Sequence, residues 1–186
     1  MRVTELDVAG ALLLDLEPFV DERGSFARAF CARELADAGA PFEVAQANLS
    51  ENPRAGTLRG VHLQRAPHEE AKLVRCVRGA LFDVVVDLRP DSPTFGRWAG
   101  EELSADNGRA LLVPEGCGHA FLTLADDTLA FYLVSEPYTP GAELGLRFDD
   151  PALGIDWPRD VAVISEKDAS WPLVGEPGAA VEGLPT

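Results

Sequence analysis

Cysteine is scarce in this sequence, and no two cysteines have the spacing of a metal-binding or redox motif. Cys31, Cys76 and Cys117 are odd in number and far apart in the chain. They therefore predict neither a disulfide framework nor a zinc site. Unpaired thiols are typical of proteins in a reducing compartment, so we expect a cytoplasmic location.

Long hydrophobic runs are also missing. No apolar stretch approaches the roughly 18 residues that a membrane-spanning helix requires. Glu5 and Asp7 interrupt the first apolar residues, which does not fit a secretory leader. We expect neither secretion nor membrane insertion.

Basic residues are outnumbered by acidic ones. The chain has 16 lysines and arginines against 31 aspartates and glutamates, which gives a formal net charge of −15. Binding to nucleic acid phosphates requires a basic face, so a nucleic acid partner is not expected. An anionic small ligand is compatible with this composition if several arginines converge locally.

Lysine, tyrosine and histidine are rare enough that each copy is a candidate for a specific role. The only lysines are Lys72 and Lys167, and the only tyrosines are Tyr132 and Tyr138. The histidines are His62, His68 and His119. Rarity alone assigns no function, so the surrounding patterns must be considered.

Short apolar or alternating runs dominate the chain and predict β-strands separated by turns rich in glycine, proline, aspartate and asparagine. Closely spaced short strands indicate an all-β sandwich or barrel. One short helix is predicted at Ala32–Ala38 and a final helical turn after Pro151. We expect a single domain over residues 1–175 and a loose tail over 176–186. The predicted strands are Ala11–Leu16, Val44–Leu49, Ala71–Val77, Leu81–Leu88, Arg97–Leu103, Arg109–Val113, His119–Leu124 and Thr128–Ser135.

The segment TLRGVHLQ at 57–64 places polar groups inside an apolar strand pattern. In an extended chain His62 and Gln64 share one face, and Val61 and Leu63 share the other. This arrangement could present an imidazole to a cavity. It equally fits a histidine that is hydrogen-bonded within a core.

Two further strands carry rare side chains on a single face. Lys72, Val74 and Cys76 share a face, as do Ala130 and Tyr132. A lysine at the start of a strand also fits a solvated edge, and a strand tyrosine also fits a packing residue with its hydroxyl at the rim. The pattern alone leaves function open.

Nine segments of the sequence together resemble the dTDP-4-dehydrorhamnose 3,5-epimerase family. They occur in order over roughly residues 1–175, which a chance match would not produce. The resemblance implies a jelly-roll β-sandwich of the cupin type, usually a homodimer in which the N-terminal region completes the active site of the neighbouring subunit. The segments are ERGSF at 22–26, QANLS at 46–50, TLRGVHLQ at 57–64, KLVRCVRGALFDVVVDLR at 72–89, SPTFGRW at 92–98, LSADN at 103–107, VPEGCGHAF at 113–121, FDDPALGIDWP at 148–158 and SEKD at 165–168.

The same resemblance implies roles for individual residues. His62 matches the general base of the family, Asp168 the carboxylate that orients it, Tyr132 the proton donor and Lys72 a residue beside the substrate. Tyr138 matches the aromatic residue that stacks on the nucleotide base. The other matching or neighbouring positions, assigned to substrate binding, are Arg23, Phe26, Arg28, Gln46, Asn48, Arg59, His119, Glu143 and Lys167.

These residue types suit proton transfer beside a ketone. Removal of a proton from a carbon next to a carbonyl leaves an enolate, so the reaction needs a base, an oxyanion stabiliser and an acid on the opposite face. A histidine oriented by an aspartate can act as the base, Lys72 can stabilise the enolate oxygen, and Tyr132 can act as the acid. Arg23 and Arg59 can neutralise a diphosphate through forked hydrogen bonds.

The sequence departs from the family pattern at two positions and poses one geometric problem. Arg28 replaces a glutamate that contacts the nucleotide, and Cys117 replaces a bulky residue. A flat strand would also send Arg59 and His62 to opposite faces. If both contact one ligand, a bulge near Gly60 is required.

Neither a metal nor another cofactor is predicted. Metal-binding cupins commonly begin their ligand set with an H-x-H pair, whereas this chain has His62-Leu63-Gln64. The remaining histidines, His68 and His119, complete no convincing ligand set.

Three functions remain open. The leading hypothesis is a 3,5-epimerase that acts on a dTDP-linked 4-keto-6-deoxyhexose in rhamnose or related deoxysugar biosynthesis. The nearest alternative inverts only C3 or only C5, or accepts another nucleotide. A non-catalytic sugar-binding jelly roll would be indicated by loss of the base, its aspartate or the acid, and all three are present.

Overall fold

The computed structural model describes residues 1–181 and 183, and almost all of its regular structure is β-strand. Two short helices complete it, α1 at Ala32–Asp37 and α2 at Glu166–Ala169. No helix in this part of the chain is long and apolar enough to cross a membrane. The strands are β1 Arg2–Glu5, β2 Leu12–Asp15, β3 Phe19–Asp21, β4 Gly24–Phe26, β5 Gln46–Asn52, β6 Leu58–Gln64, β7 Lys72–Arg78, β8 Ala80–Asp87, β9 Trp98–Ser104, β10 Ala110–Val113, β11 Cys117–Thr123, β12 Thr128–Val134 and β13 Glu143–Gly145.

The strands form two antiparallel sheets that pack face to face. One sheet has six strands in the order β1-β2-β10-β7-β12-β5, and the other has five in the order β13-β6-β11-β8-β9. Strands β3 and β4 form a separate hairpin. The predicted all-β jelly-roll sandwich of the cupin type, with short helices, is confirmed.

Strand alternation produces a core between the sheets and a second apolar layer on each outer face. Val74 and Cys76 of the larger sheet meet Val85 and Phe121 of the smaller one in the central core. The outer face of the larger sheet is covered by Leu35 of α1 and its neighbours. The outer face of the smaller sheet is covered by the C-terminal segment.

The predicted loose tail over 176–186 is packed along part of its length. Ala179, Ala180 and Val181 lie against the outer face of the smaller sheet, and Val181 is 8% exposed. Gly175 N–H donates to the Val181 carbonyl at 3.1 Å. Apolar side chains explain this packing, since their burial is favourable even in a glycine-rich segment. Residues 182 and 184–186 of the predicted tail lie outside the described part of the chain.

Most predicted elements have a counterpart in the structure. Each of the eight predicted strands overlaps an observed strand, segment 57–64 forms β6, and the predicted helix at Ala32–Ala38 corresponds to α1. The final helical turn after Pro151 is α2. Four strands were not predicted, namely β1, β3, β4 and β13, which have only three or four residues each. Such strands are defined by their pairing partners rather than by an apolar repeat.

Candidate active site

A polar cleft opens between the two sheets, where side chains with hydrogen-bonding groups replace the apolar core. It consists of two adjoining cavities of about 440 and 230 Å³, and His62, Lys72 and Tyr132 line both. The first cavity also contains Arg59, His119, Lys167 and Asp168. The second also contains Gln46, Asn48, Tyr138 and Glu143. Eleven of the fourteen predicted site residues therefore lie around one cleft.

The register of the six-stranded sheet sets the wall that carries Lys72 and Tyr132. Tyr132 of β12 pairs with Val74 of β7 on one side and with Asn48 of β5 on the other. Directly paired residues of antiparallel strands point to the same face, and so do residues two apart on one strand. Lys72, Tyr132 and Asn48 therefore share the inner face of the sheet.

A bulge in β6 brings Arg59 and His62 to the same cleft. His62 pairs with His119 and Arg59 pairs with Phe121, so Gly60 and Val61 together oppose the single residue Ala120. The extra residue reverses the alternation of side chains between the two faces of β6. Arg59 and His62 therefore point into the same cleft, which a flat strand would not allow. Gly60 has φ of +128°, and a Cβ built on it would lie 2.3 Å from the Cβ of Ala120. Only glycine fits at this position.

His62 and Asp168 form a hydrogen-bonded pair in the cleft. Nε2 of His62 lies 2.7 Å from Oδ1 of Asp168, whose backbone N–H is held by the hydroxyl of Ser165 at the start of α2. Burial alone would raise the pKa of Asp168. The hydrogen bonds from His62 and from the Gly60 N–H outweigh it and lower that pKa. Since Asp168 is ionised, Nε2 donates to it, and Nδ1 carries the free lone pair.

Tyr132 carries a phenol that stays protonated near neutral pH. Burial raises the pKa of Tyr132, and the charge of Glu70 raises it further, while Arg59 has the opposite effect. A protonated phenol can donate a proton but cannot accept one from carbon. The site therefore contains a potential acid on the six-stranded sheet and a potential base on the five-stranded sheet.

Lys72 is held by a carboxylate that sequence reasoning did not select. Its Nζ lies 3.0 Å from Oε1 of Glu70, and the two side chains are only 10% and 12% exposed. This ion pair fixes the direction of the Lys72 side chain within the cleft. The signal available in the sequence was an acidic residue two positions before a strand lysine, which is too common to be specific.

His119 is hydrogen-bonded to Asp83, which was also not selected. Nε2 of His119 lies 2.8 Å from Oδ1 of Asp83, a side chain with no exposed surface. Burial raises the pKa of Asp83, although His119 and Lys72 oppose the increase. The signal in the sequence was a charged residue inside the apolar run LFDVVVD at 81–87, which indicates a buried carboxylate with a polar partner. Oδ2 of Asp83 has no hydrogen-bond partner among the described residues.

The rim of the cleft is formed by Tyr138, Glu143 and Lys167. Lys167 is ion-paired with Glu143, and the Tyr138 side chain is 55% exposed. Buried Gln64 fixes the loop that carries Tyr138, because its amide oxygen accepts a hydrogen bond from Thr139 N–H at 2.7 Å. Gln46 and Asn48 are joined by a hydrogen bond of 2.6 Å along the same side of the cleft.

Three predicted site residues lie outside the cleft of their own chain. Arg23 and Phe26 are on the β3-β4 hairpin, where Arg23 is ion-paired with Asp21 and Phe26 is 75% exposed. Arg28 follows the hairpin and is ion-paired with Glu34 of α1. The structure of one chain therefore does not bring these residues together with His62.

The described residues contain no group of three or more His, Cys, Asp or Glu side chains arranged to hold a metal ion. The carboxylates nearest the cleft histidines are instead paired one to one. Asp168 bonds to His62, and Asp83 bonds to His119.

Comparison with known proteins gives one consistent result. Residues 5–176 match the family model described as dTDP-4-dehydrorhamnose 3,5-epimerase. A dTDP-4-dehydrorhamnose 3,5-epimerase from Sinorhizobium fredii is 44% identical over 177 residues, which is 95% of this chain and 91% of the relative. A dTDP-4-dehydrorhamnose 3-epimerase from Streptomyces niveus is 42% identical over 95% of this chain and 85% of its own.

The fold agrees with that of a solved relative. The crystal structure of dTDP-4-dehydrorhamnose 3,5-epimerase from Bacillus anthracis, with TDP and PPi bound, superposes with a TM-score of 0.89 at 41% identity. The match covers 93% of this chain and 99% of the other. On the evidence of sequence and fold together, this chain belongs to the dTDP-4-dehydrorhamnose 3,5-epimerase family.

Proposed function

We propose that this protein is an epimerase that inverts C3 and C5 of a dTDP-linked 4-keto-6-deoxyhexose. The observation that carries the proposal is the placement of His62 and Tyr132 on opposing walls of one cleft. His62 is paired with an ionised Asp168, and Tyr132 has a raised pKa. A base and an acid on separate walls are what inversion at carbon requires.

The first chemical step is removal of a proton from the carbon next to the C4 ketone. Nδ1 of His62 takes this proton, and Asp168 stabilises the resulting imidazolium through Nε2. The electron pair of the broken C–H bond moves into an enolate whose negative charge lies on the C4 oxygen. Lys72 and His119 line the same cavity and stabilise this charge.

The second step delivers a proton to the opposite face of the same carbon. The phenol of Tyr132 donates it, so the configuration of the carbon is inverted. Solvent then restores the proton of Tyr132 and removes the proton gained by His62. The side chains supply base, acid and oxyanion stabiliser, so the proposed reaction requires no metal and no redox cofactor.

The diphosphate of the substrate would bind beside Arg59 and Lys167. Both line the cavity that contains His62, and they place positive charge in a protein whose formal net charge is −15. Guanidinium groups bind phosphate oxygens through forked hydrogen bonds. The Sinorhizobium fredii relative is named for a dTDP sugar, and the Bacillus anthracis structure holds TDP, which supports a thymidine nucleotide here.

The proposal includes a homodimer in which the β3-β4 hairpin completes the neighbouring cleft. Phe19, Val20 and Phe26 on this hairpin are each at least 75% exposed, so they form an apolar surface without a partner in one chain. Pairing with a second copy would bury this surface and bring Arg23 to the diphosphate. Arg28 would then lie near the nucleotide base, where an arginine offers donors in place of a carboxylate acceptor.

Proton NMR of dTDP-4-keto-6-deoxyglucose incubated with the protein in deuterated water tests the proposal. We expect deuterium at C3 and C5 and inversion at both carbons. Exchange and inversion at C3 alone would instead indicate a 3-epimerase, the activity named for the Streptomyces niveus relative. No exchange at either carbon would contradict the proposed function.

A further inference from the structure

On strand β13, which lies beside β6, the residue directly opposite His62 is a glycine and has no side chain. Gly145 of β13 pairs directly with His62 of β6. A Cβ built on Gly145 would lie 2.4 Å from Cδ2 of Trp171, so this glycine leaves the space that the indole occupies. The chain thus brings a large aromatic ring to a position beside the imidazole.

Trp171 fills this space and contacts two residues of the cleft. Its ring centroid lies 6.1 Å from that of His62, with an angle of 67° between the rings, which is an edge-to-face contact. The ammonium of Lys167 lies 5.5 Å from the centroid of the indole. The indole Nε1 is buried, and its N–H helps to lower the pKa of Asp168.

We propose that Trp171 is a positioning residue for His62, holding the imidazole plane so that Nε2 stays on Asp168 and Nδ1 faces the substrate. This inference rests on the proposed function, because it takes His62 as the base. Trp171 lies three residues after Asp168, beyond the end of α2, so one short segment supplies both the hydrogen-bond partner and the packing partner of the imidazole.

The physical reason is the freedom of an imidazole ring about its last side-chain bond. The torsion between Cβ and the ring is broad, so a single hydrogen bond leaves the ring able to tilt. The edge of an aromatic ring packed against the imidazole restricts that tilt. Misplacement of a catalytic group by about 1 Å can reduce the rate about 100-fold.

Substitution of Trp171 tests the proposal by kinetics. Trp171→Ala should reduce kcat by about 10- to 100-fold and leave KM within about threefold, since the substrate contacts remain. Trp171→Phe should retain part of the activity because it keeps an aromatic edge. The matched control is Trp157→Phe, since Trp157 packs against Phe82 on the outer face of the smaller sheet. This control should lower stability without changing kcat. A folded Trp171→Ala variant with the kcat of the wild type would overturn the proposal.

Tryptophan emission supplies a readout that does not depend on activity or on the stability of the alanine variant. An imidazole packed against an indole alters the emission of that indole. The emission difference between wild type and Trp171→Phe should therefore not equal the difference between His62→Gln and the double variant His62→Gln/Trp171→Phe, measured at one pH.

The two readouts separate failure of this inference from failure of the proposed function. An emission difference that is the same with and without the His62 imidazole would overturn the positioning role, whatever the kinetics of the variants. A wild-type protein that neither exchanges nor inverts the sugar would instead contradict the proposed function. In that case the emission comparison still determines whether Trp171 contacts His62.

Discussion

The amide oxygen of Asn52 accepts a hydrogen bond from Nε of Arg59 at 2.9 Å. Asn52 is 1% exposed, and its amide nitrogen donates to the carbonyl oxygens of Ser50 at 2.9 Å and Thr128 at 3.4 Å. Asn52 is therefore fixed within the six-stranded sheet and holds one side of the guanidinium. The terminal nitrogens of Arg59 make no hydrogen bond to any described residue, which leaves them available to a diphosphate.

Asn52→Ala should weaken the binding of dTDP without abolishing it. The bond to Asn52 is present in the free protein, so its loss acts on binding only by letting the guanidinium move, and Kd should rise by about 10-fold, which is about 1.4 kcal/mol. Calorimetry with dTDP measures the change. Asn107→Ala is the control, since the side-chain hydrogen bonds of Asn107 stay within residues 102–109 and the substitution should leave Kd unchanged. An Asn52→Ala variant with wild-type affinity would show that Arg59 needs no such support.

Substitutions at His62 and Asp168 should separate chemistry from binding. General base catalysis commonly contributes about 10²- to 10⁴-fold, so we expect His62→Ala to reduce deuterium exchange by that amount. Asp168→Asn should act in the same direction, because an uncharged amide no longer stabilises the imidazolium. Binding of dTDP should change little in either variant. Exchange at the wild-type rate in His62→Ala would place the base elsewhere.

The buried carboxylate of Asp87 should make stability depend on pH in the acid range. Burial alone would raise the pKa of Asp87, but hydrogen bonds from Arg89, Ser92 and Thr94 lower it to about 2. The folded pKa is below the unfolded one, so this stabilisation is present at neutral pH and is lost as the pH falls from about 4 to about 2. The corresponding free energy is about 2 kcal/mol.

Thermal unfolding of wild type and Asp87→Asn measures this contribution. The variant should have a lower Tm than the wild type at pH 7, and the difference should shrink as the pH approaches 2. Asp149→Asn is a suitable control, since Asp149 forms an exposed ion pair with Arg147 that should contribute little. A difference between wild type and Asp87→Asn that stays constant from pH 7 to pH 2 would contradict the assigned pKa.

The exposed hairpin predicts a dimer. Light scattering should give about twice the 19.9 kDa mass of the chain. Phe26→Ser should favour the monomer and reduce activity, because Phe26 is 75% exposed in the single chain and would be buried in the dimer. Val77→Ser, at another exposed apolar position that lines neither cavity of the cleft, measures the effect of removing apolar surface elsewhere. A fully active monomer at assay concentration would remove the case for a shared site.

Much of the sheet structure could be predicted from the sequence, because apolar alternation determines which residues face the core. The alternation of Val61 and Leu63 with His62 and Gln64 predicted the two faces of β6, and the structure has Val61 and Leu63 on the outer apolar layer. Strands such as β13 could not be predicted, since ELG has no alternation and its pairing is with distant β6. The order of strands in the sheets is likewise a property of the whole chain.

The residues of the site were harder to predict from the sequence than the strands were. Rare residue types and family motifs identified His62, Asp168 and Tyr132, and the structure places all three around the cleft. No sequence motif marks their neighbours Glu70, Asp83 and Trp171. They matter through contacts between segments far apart in the chain, such as the edge of Trp171 on His62.

In the proposed mechanism the cleft holds a base on one wall and an acid on the other, and Tyr132→Phe tests this arrangement most directly. This substitution keeps the ring and its packing but deletes the hydroxyl. Inversion needs a proton from the acid, whereas exchange needs only that His62 return a solvent-derived proton to the face it came from. Proton NMR of the 4-keto sugar in deuterated water should therefore show persistent deuterium incorporation with strongly reduced inversion, most visibly at C5. Inversion of C3 and C5 at the wild-type rate would show that Tyr132 is not the acid and would contradict the two-wall mechanism.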